Sequence, residues 1–411
     1  MRDERKLRSQ IVHKVIRLVQ ERHFNLAGVD YQEWARRLRD REAEIVTGDC
    51  DEFEAGVRAA LTELKTSHTA FYSERPTHFP PQHTINATLS EITVNGSRRW
   101  MFVDVFDDGP AFLAGIRPGD LLLAVDGTET VPGGPPMFGM GRTHNIVVAK
   151  EQQTVKAAVE VPFREGSKQR PPLVEPVSIR HRMVAPGIGL LKILYFPGVI
   201  GIRFSKQLRA SVSDLKAQHC ERLIIDLRGN IGGSLGFAAL ASYLCSRREE
   251  IGYSVTPARL RSGFSSRALP RIPMPRTPVE ALGRLAAFAL RDKSLMLLTQ
   301  GLGQQPFHGR TVILINEWTS SAGEMAAAFA AGRAAATLLG HTTKGNVLGA
   351  MNFPMSDKYW LRLPVFGWFT YRDECLEGSG VVPAVFVSSE SAEDTRRDIL
   401  SEVAIAKVKE L

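Results

Sequence analysis

Two short apolar runs, each breaking into a small polar or glycine-rich turn, constrain this chain more than any other feature. They are Leu223-Ile224-Ile225-Asp226-Leu227, ahead of Arg228-Gly229-Asn230-Ile231-Gly232-Gly233, and Val312-Ile313-Leu314-Ile315, ahead of Asn316-Glu317-Trp318-Thr319-Ser320-Ser321. Runs of this kind, without polar alternation, are strands buried on both faces, as in parallel sheets covered by helices. Helical patterns follow both, over residues 234–243 and 322–332, and a strand-like stretch at 188–194 with a helical one at 201–218 precedes them. Residues 186–411 are therefore predicted to form an α/β domain. Within it, Pro257, Pro270, Pro273, Pro275 and Pro278 crowd a segment that then turns helical through Phe288 and Leu290, so 254–309 reads as an insertion or lid.

The remaining chain divides by pattern. Ile11, Val15, Leu18 and Val19, then Phe53, Val57, Leu61 and Leu64, recur at helical spacing, which predicts an N-terminal helical domain over 1–83. Its last helix runs into Lys65-Thr66-Ser67-His68, and Pro76, Pro80 and Pro81 forbid regular helix beyond, leaving Ser67 and His68 on a loop. Residues 84–165 carry strand patterns broken by Ala114-Gly115-Ile116, Pro118-Gly119-Asp120 and Asp126-Gly127. That series resembles a PDZ domain, and the resemblance implies that an extended peptide end adds to it as a strand. A connector is expected over 166–185.

Charge and composition exclude several classes. Lys and Arg number 52 against 44 Asp and Glu, a net +8, but the basic run Arg36-Arg37-Leu38-Arg39 is balanced by Asp40, Glu42 and Glu44. No basic stretch carries the interleaved aromatics of a nucleic-acid reader. Cys50, Cys220, Cys245 and Cys375 lie too far apart for the spacings of zinc or thiol redox sites, so neither a metal nor an organic cofactor is expected. The most apolar stretch, 325–340, is broken by Arg333, so no membrane span is expected. The N-terminus is charged throughout, and a cytoplasmic location is expected.

Chemistry points to the turn after the second buried strand. A hydroxyl there stands at a sheet edge beside the first N–H groups of a helix, which suit an oxyanion. The same residues also suit a plain helix cap, with Thr319 or Ser320 capping and Glu324 completing the box. The glycine-rich turn at Gly232-Gly233 offers a second source of backbone N–H. Asp226 and Arg228 suit an ion pair bracing that turn.

Taken in order, Asp226 to Gly233, Ser321-Ala322-Gly323-Glu324, Leu339 to Asn346 and Glu377-Gly378-Ser379-Gly380-Val381-Val382-Pro383 resemble the motifs of the tail-specific, or C-terminal processing, serine peptidases. The resemblance implies an α+β multidomain chain: a crotonase-like ββα core with an N-terminal helical domain and an inserted PDZ-like domain. It makes Ser321 the nucleophile, with an oxyanion hole from Gly232, Gly233 and Ala322. The processing branch pairs its serine with a lysine, but Asn346 occupies that place, with Lys344 two positions earlier as an alternative base. The branch resembling the tricorn core protease uses a Ser-His-Ser-Glu tetrad, which implies Ser67, His68, Ser321 and Glu377.

Histidine suits the task of taking a serine proton and returning it to a leaving amine. His68 also fits a helix-end histidine making one structural hydrogen bond, and Glu374 competes with Glu377. The expectation is a serine peptidase acting on unfolded or C-terminal protein segments. Two other readings fit: a non-catalytic peptide-binding protein on the same fold, and an esterase, although the chain lacks the Gly-x-Ser-x-Gly elbow of common esterases. Oligomeric state is not legible.

Overall fold

The computed structural model describes residues 2–26, 28–73, 78–151, 153–165, 172–198, 201–275, 277, 279–280, 282–283, 294–303, 307, 310–387 and 391–411. The fold is mixed α/β and multidomain. Its centre is a six-stranded sheet ordered Ile179–Ala185, Ile188–Ile193, Arg222–Asp226, Thr311–Ile315, Thr337–Gly340 and Val385–Phe386. Every neighbouring pair is parallel except the first hairpin. Both faces are covered, which is why the two runs carry no polar alternation. On one side Ile225, Ile313 and Ile315 pack with Phe204, Leu208, Phe237 and Phe329 of the helices Ile202–Ala217, Gly236–Tyr243 and Ala322–Gly332. On the other, Ile224, Val312 and Leu314 pack with Leu400, Ala404 and Val408 of the terminal helix Ile399–Glu410.

A second sheet revises two expected boundaries. Its spine is the long strand Tyr359–Thr370, which pairs antiparallel with Ala70–Ser73, Gly349–Pro354 and Glu250–Val255; Leu295–Leu298 and Arg271–Pro273 extend it. The N-terminal helices are therefore not a separate unit over 1–83. Ile11, Val15, Trp34 and Phe53 share one core with Phe71, Tyr359, Leu361 and Leu363, and Phe71 stacks on Tyr359 at 5.3 Å between ring centres. The segment read as an insertion over 254–309 supplies two strands to this sheet, while its expected helix through Phe288 and Leu290 lies outside the described residues. The connector over 166–185 ends early, because Ile179–Ala185 is an edge strand of the central sheet. Pro81, expected to forbid helix, instead opens the one-turn helix Pro81–Thr84, where its missing N–H has no role.

Residues 87–161 form a third, antiparallel sheet ordered Ala87–Val94, Ser97–Val105, Leu121–Val125, Arg142–Lys150 and Gln153–Val161 around Phe102, Ile116, Ile146 and Val148. Buried polar bonds fasten it to the central sheet. Asp104 accepts from Asn316 Nδ2 at 3.0 Å, and Ser90 donates to Glu317 at 2.7 Å and accepts from Trp318 Nε1 at 3.0 Å. The β-domain thus holds the turn that leads to Ser321. Among the described residues no helix is long and apolar enough to cross a membrane.

Candidate active site

The turns after the two central strands are tied by their own side chains. The buried Thr319 hydroxyl accepts the Asn316 N–H at 3.0 Å and donates to Leu227 O at 2.8 Å, joining the ends of adjacent parallel strands. Asn230, also fully buried, donates to Ile193 O at 2.7 Å and accepts the Gly232 N–H at 2.8 Å. Its backbone carbonyl receives the Ser320 N–H at 3.0 Å. Ser321 then enters the helix Ala322–Gly332 at φ 53° and ψ −117°. A non-glycine residue holds such a conformation only where its surroundings impose it, at about 1–3 kcal/mol.

The restraint is Glu324. Its carboxylate, with no exposed surface, accepts the Ser321 N–H at 2.8 Å, the Gly345 N–H at 2.6 Å, the Asn346 N–H at 2.9 Å and the Thr343 hydroxyl at 2.6 Å. Burial pushes its pKa up against the lowering effect of these bonds. It cannot meet a peptide amine; it ties the nucleophile turn to the 343–346 loop. The expected cap is corrected as well: Ser321 is the N-terminal flanking residue, and Thr319 serves the strand ends.

Ser67, His68 and Glu377, drawn from both ends of the chain, form one hydrogen-bonded series. Glu377 Oε1 accepts the Ser67 N–H at 2.7 Å, and Oε2 accepts the Ser67 hydroxyl at 3.0 Å and the Val347 N–H at 2.9 Å. Ser67 Oγ meets His68 Nδ1 at 2.8 Å. An ionised carboxylate only accepts, so the Ser67 proton points to Glu377 and Nδ1–H donates to Ser67, leaving Nε2 without a proton. His68 sits in the left-handed region at φ 60°, six residues past the helix Cys50–Thr62, so it is not a helix-end histidine. Burial, then the nearby Arg362 and Lys344, lower its pKa to about 3, which keeps the ring neutral. Glu374, the competing carboxylate, is occupied with the Thr370 hydroxyl of its own turn at 3.3 Å.

His68 and Ser321 line one cleft of about 2340 Å³, together with Ala322, Gly233, Lys344 and Asn346. Its volume is well above the roughly 300–1,000 Å³ of small-molecule sites and suits a polymer. Its lining includes the apolar side chains of Leu235, Phe237, Leu297, Met325 and Trp368. No hydrogen bond joins His68 to Ser321 among the described residues.

Of the three expected oxyanion donors, Gly232 touches the nucleophile: a Cβ on it would lie 2.7 Å from Ser321 Cβ. Its N–H is however taken by Asn230, a correction to its expected role as an open donor. The N–H groups of Ala322 and Gly233 have no partner among the described residues. Lys344 Nζ lies 4.7 Å from the centre of the Trp318 ring and makes no bond to Ser321, so the alternative base is engaged by an aromatic face. Partial desolvation lowers its pKa. Arg228 chelates Asp226 at 2.9 and 2.8 Å and also binds Asp398, fastening the terminal helix to the strand end. Among the described residues no group of three or more His, Cys, Asp or Glu is placed to hold a metal ion.

Residues 187–387, which contain the strand ends, Ser321, Glu324 and Glu377, match the family model described as Peptidase family S41. This segment, just under half of the chain, is similar to the S41 peptidases. S41 is a serine peptidase family. The chain is 25% identical over 278 residues to the carboxyl-terminal-processing protease of Synechocystis sp., a match covering 67% of this chain and 56% of that protein. It is 22% identical over 296 residues to the carboxy-terminal-processing protease of Bartonella bacilliformis, covering 69% of this chain and 57% of that one. The chain thus spans just over half the length of these curated relatives.

Two solved structures share the fold of this chain. The photosystem II D1 C-terminal processing protease has a TM-score of 0.58 at 15% identity, with 97% of each chain covered. Mature CPAF complexed with lactacystin has a TM-score of 0.57 at 17% identity, with 98% of each covered. At these identities the likeness is one of fold.

Sequence reasoning missed Glu324 as a tie between loops, the clamp of Asn230 on Gly232, and the seat of Lys344 on Trp318. A capping-box spacing signalled Glu324 locally, but nothing in the sequence signalled its bonds to residues 343–346.

Proposed function

We propose that this chain is a serine peptidase that cleaves peptide bonds of unfolded or C-terminal protein segments through an acyl-enzyme on Ser321, with His68 as general base. The observation that carries the reading is the Glu377–Ser67–His68 series, which ends in an unprotonated Nε2 on the wall of the cleft that Ser321 also lines. His68 Nε2 takes the Ser321 proton as Oγ attacks the scissile carbonyl. The imidazolium is stabilised by Glu377 through the Ser67 hydroxyl, and it returns the proton to the leaving amine. The open Ala322 and Gly233 N–H groups receive the oxyanion, and release of the Gly232 N–H from Asn230 would add a third donor. Water then repeats the sequence on the ester. The 87–161 sheet is read as a PDZ-like site for an extended peptide end, and a cytoplasmic location remains part of the proposal.

The test is fluorophosphonate labelling read by intact mass, with peptide hydrolysis in parallel, on the wild type and on Ser321→Ala, His68→Ala and Lys344→Ala. Label lost in the first two and kept in the third is expected. Loss in Lys344→Ala with retention in His68→Ala would transfer the base role to the lysine. The absence of a His68–Ser321 bond, with Asn346 in the lysine place, favours one second reading, a peptide-binding protein without turnover. A folded wild type that takes no label would establish it.

A further inference from the structure

The loop that presents His68 is held from the core side by a polar group that has no part in the proton transfers above. His23, immediately after the helix Arg2–Arg22, is only 2% exposed, yet both its ring nitrogens are engaged. Nδ1 lies 2.7 Å from the Tyr31 hydroxyl and Nε2 lies 2.8 Å from the Thr66 hydroxyl. Thr66 Oγ1 is also 3.1 Å from Thr69 Oγ1, so the contact closes the base of the four-residue turn whose middle is Ser67 and His68. The Tyr31 hydroxyl also reaches His23 O at 3.2 Å, and in either tautomer of the neutral ring one nitrogen donates and the other accepts. A neutral ring satisfies every member of the series.

Two facts make this more than packing. A buried imidazole costs free energy that an apolar side chain of similar size would not, unless all its polar atoms are matched to partners. The turn it meets is also strained on both sides of Thr66, with Lys65 at φ 51° and His68 at φ 60°. Glu377 holds that turn through Ser67 from one side, and His23 holds it through Thr66 from the other. We infer that His23, backed by Tyr31, is a positioning residue of the peptidase reaction, setting the 66–69 turn so that His68 is presented to Ser321. The inference rests on the reading of His68 as the base.

The test uses the full chain, with fluorophosphonate labelling rates and kcat and KM on an unstructured fluorogenic peptide. Thr66→Val keeps the shape and removes the hydroxyl, Thr66→Ser keeps the hydroxyl, and Tyr31→Phe leaves Thr66 untouched. Trp34→Phe is the structural control: it deletes the Trp34 Nε1 bond to Ala60 O in the same helical layer, away from the turn. Thr66→Val is expected to lower kcat and the labelling rate by about tenfold to a hundredfold, the usual effect of a misplaced catalytic group, with KM nearly unchanged. Tyr31→Phe should move in the same direction, Thr66→Ser should restore most of the rate, and Trp34→Phe should lower the melting temperature without changing kcat. Wild-type kcat in folded Thr66→Val, failure of Thr66→Ser to restore it, or an effect confined to KM would each overturn the inference. His68→Ala separates the two levels. Retained labelling there sinks the base assignment, whereas loss there with a normal Thr66→Val sinks only the role of His23.

Discussion

Replacing Glu377 with glutamine tests the relay with almost no change of shape. The carboxylate faces three donors: the Ser67 N–H at Oε1, and the Ser67 hydroxyl and Val347 N–H at Oε2. An amide offers only one acceptor atom. With its NH2 at the Oε2 position, it opposes the Val347 N–H and donates to Ser67. The Ser67 proton then turns to His68 Nδ1, and the ring proton moves to Nε2, where it blocks acceptance from Ser321. With its NH2 at the Oε1 position, it opposes the Ser67 N–H instead, at about 1–3 kcal/mol for an unmatched buried donor, and the turn is displaced.

Either orientation also removes the negative charge that stabilises the imidazolium. An acid-to-amide change beside the histidine of a Ser-His-Asp triad lowers kcat by about 10⁴. Here the carboxylate acts through an intervening hydroxyl, so a fall of roughly 10²–10⁴, or about 3–5 kcal/mol at 1.36 kcal/mol per tenfold, is expected. The assay is kcat on a fluorogenic peptide together with the fluorophosphonate labelling rate of Ser321, with a thermal melt to verify folding. A Glu377→Gln protein that folds and keeps kcat within about threefold would refute the relay, since neither a tautomer reversal nor loss of the carboxylate charge with a displaced turn can be that mild.

Other consequences are equally concrete. Gly232→Ala places a Cβ 2.7 Å from Ser321 Cβ at φ 84°; labelling should be lost, with about 1–3 kcal/mol of stability, measured by urea unfolding. Arg228→Met leaves Asp226, 2% exposed, without its cation, and should cost about 3–5 kcal/mol in the same assay. Burial lowers the His23 pKa from 6.5 to about 4, so the unfolded chain binds its proton first as pH falls. The contribution of the neutral ring is therefore complete above pH 6.5 and is lost progressively towards pH 4, up to about 3 kcal/mol. Urea midpoints from pH 4 to 7 should show a shallower slope in His23→Asn than in the wild type; equal slopes would exclude His23 as the source.

What the sequence by itself determined is whatever local pattern can encode. Ile225 and Ile313 lie in runs with no polar alternation because both sheet faces are covered, so the parallel strands and their following helices were legible. The strand–turn–helix junction likewise marked the hydroxyl cluster of Thr319, Ser320 and Ser321, since hydroxyls before the first helix N–H groups are a matter of neighbours in sequence, whereas the choice of Ser321 among them came from the family motifs. The pairing of Ser67 and His68 with Glu377 was legible only through the order of family motifs, because a contact across 310 positions leaves no periodicity.

Tertiary structure alone decided the rest. The second sheet joins Ala70–Ser73, Glu250–Val255 and Tyr359–Thr370, segments that reward one another only after long loops have closed. It thereby turned an expected N-terminal domain and an expected insertion into parts of the body that carries the site. Tertiary structure also spent the Gly232 N–H on Asn230, seated Lys344 on Trp318 and gave Glu324 its three loop partners. A backbone donor or a buried carboxylate looks the same in any sequence. Its partner is chosen by whichever acceptor or donor the packed chain brings within about 3 Å once water is excluded.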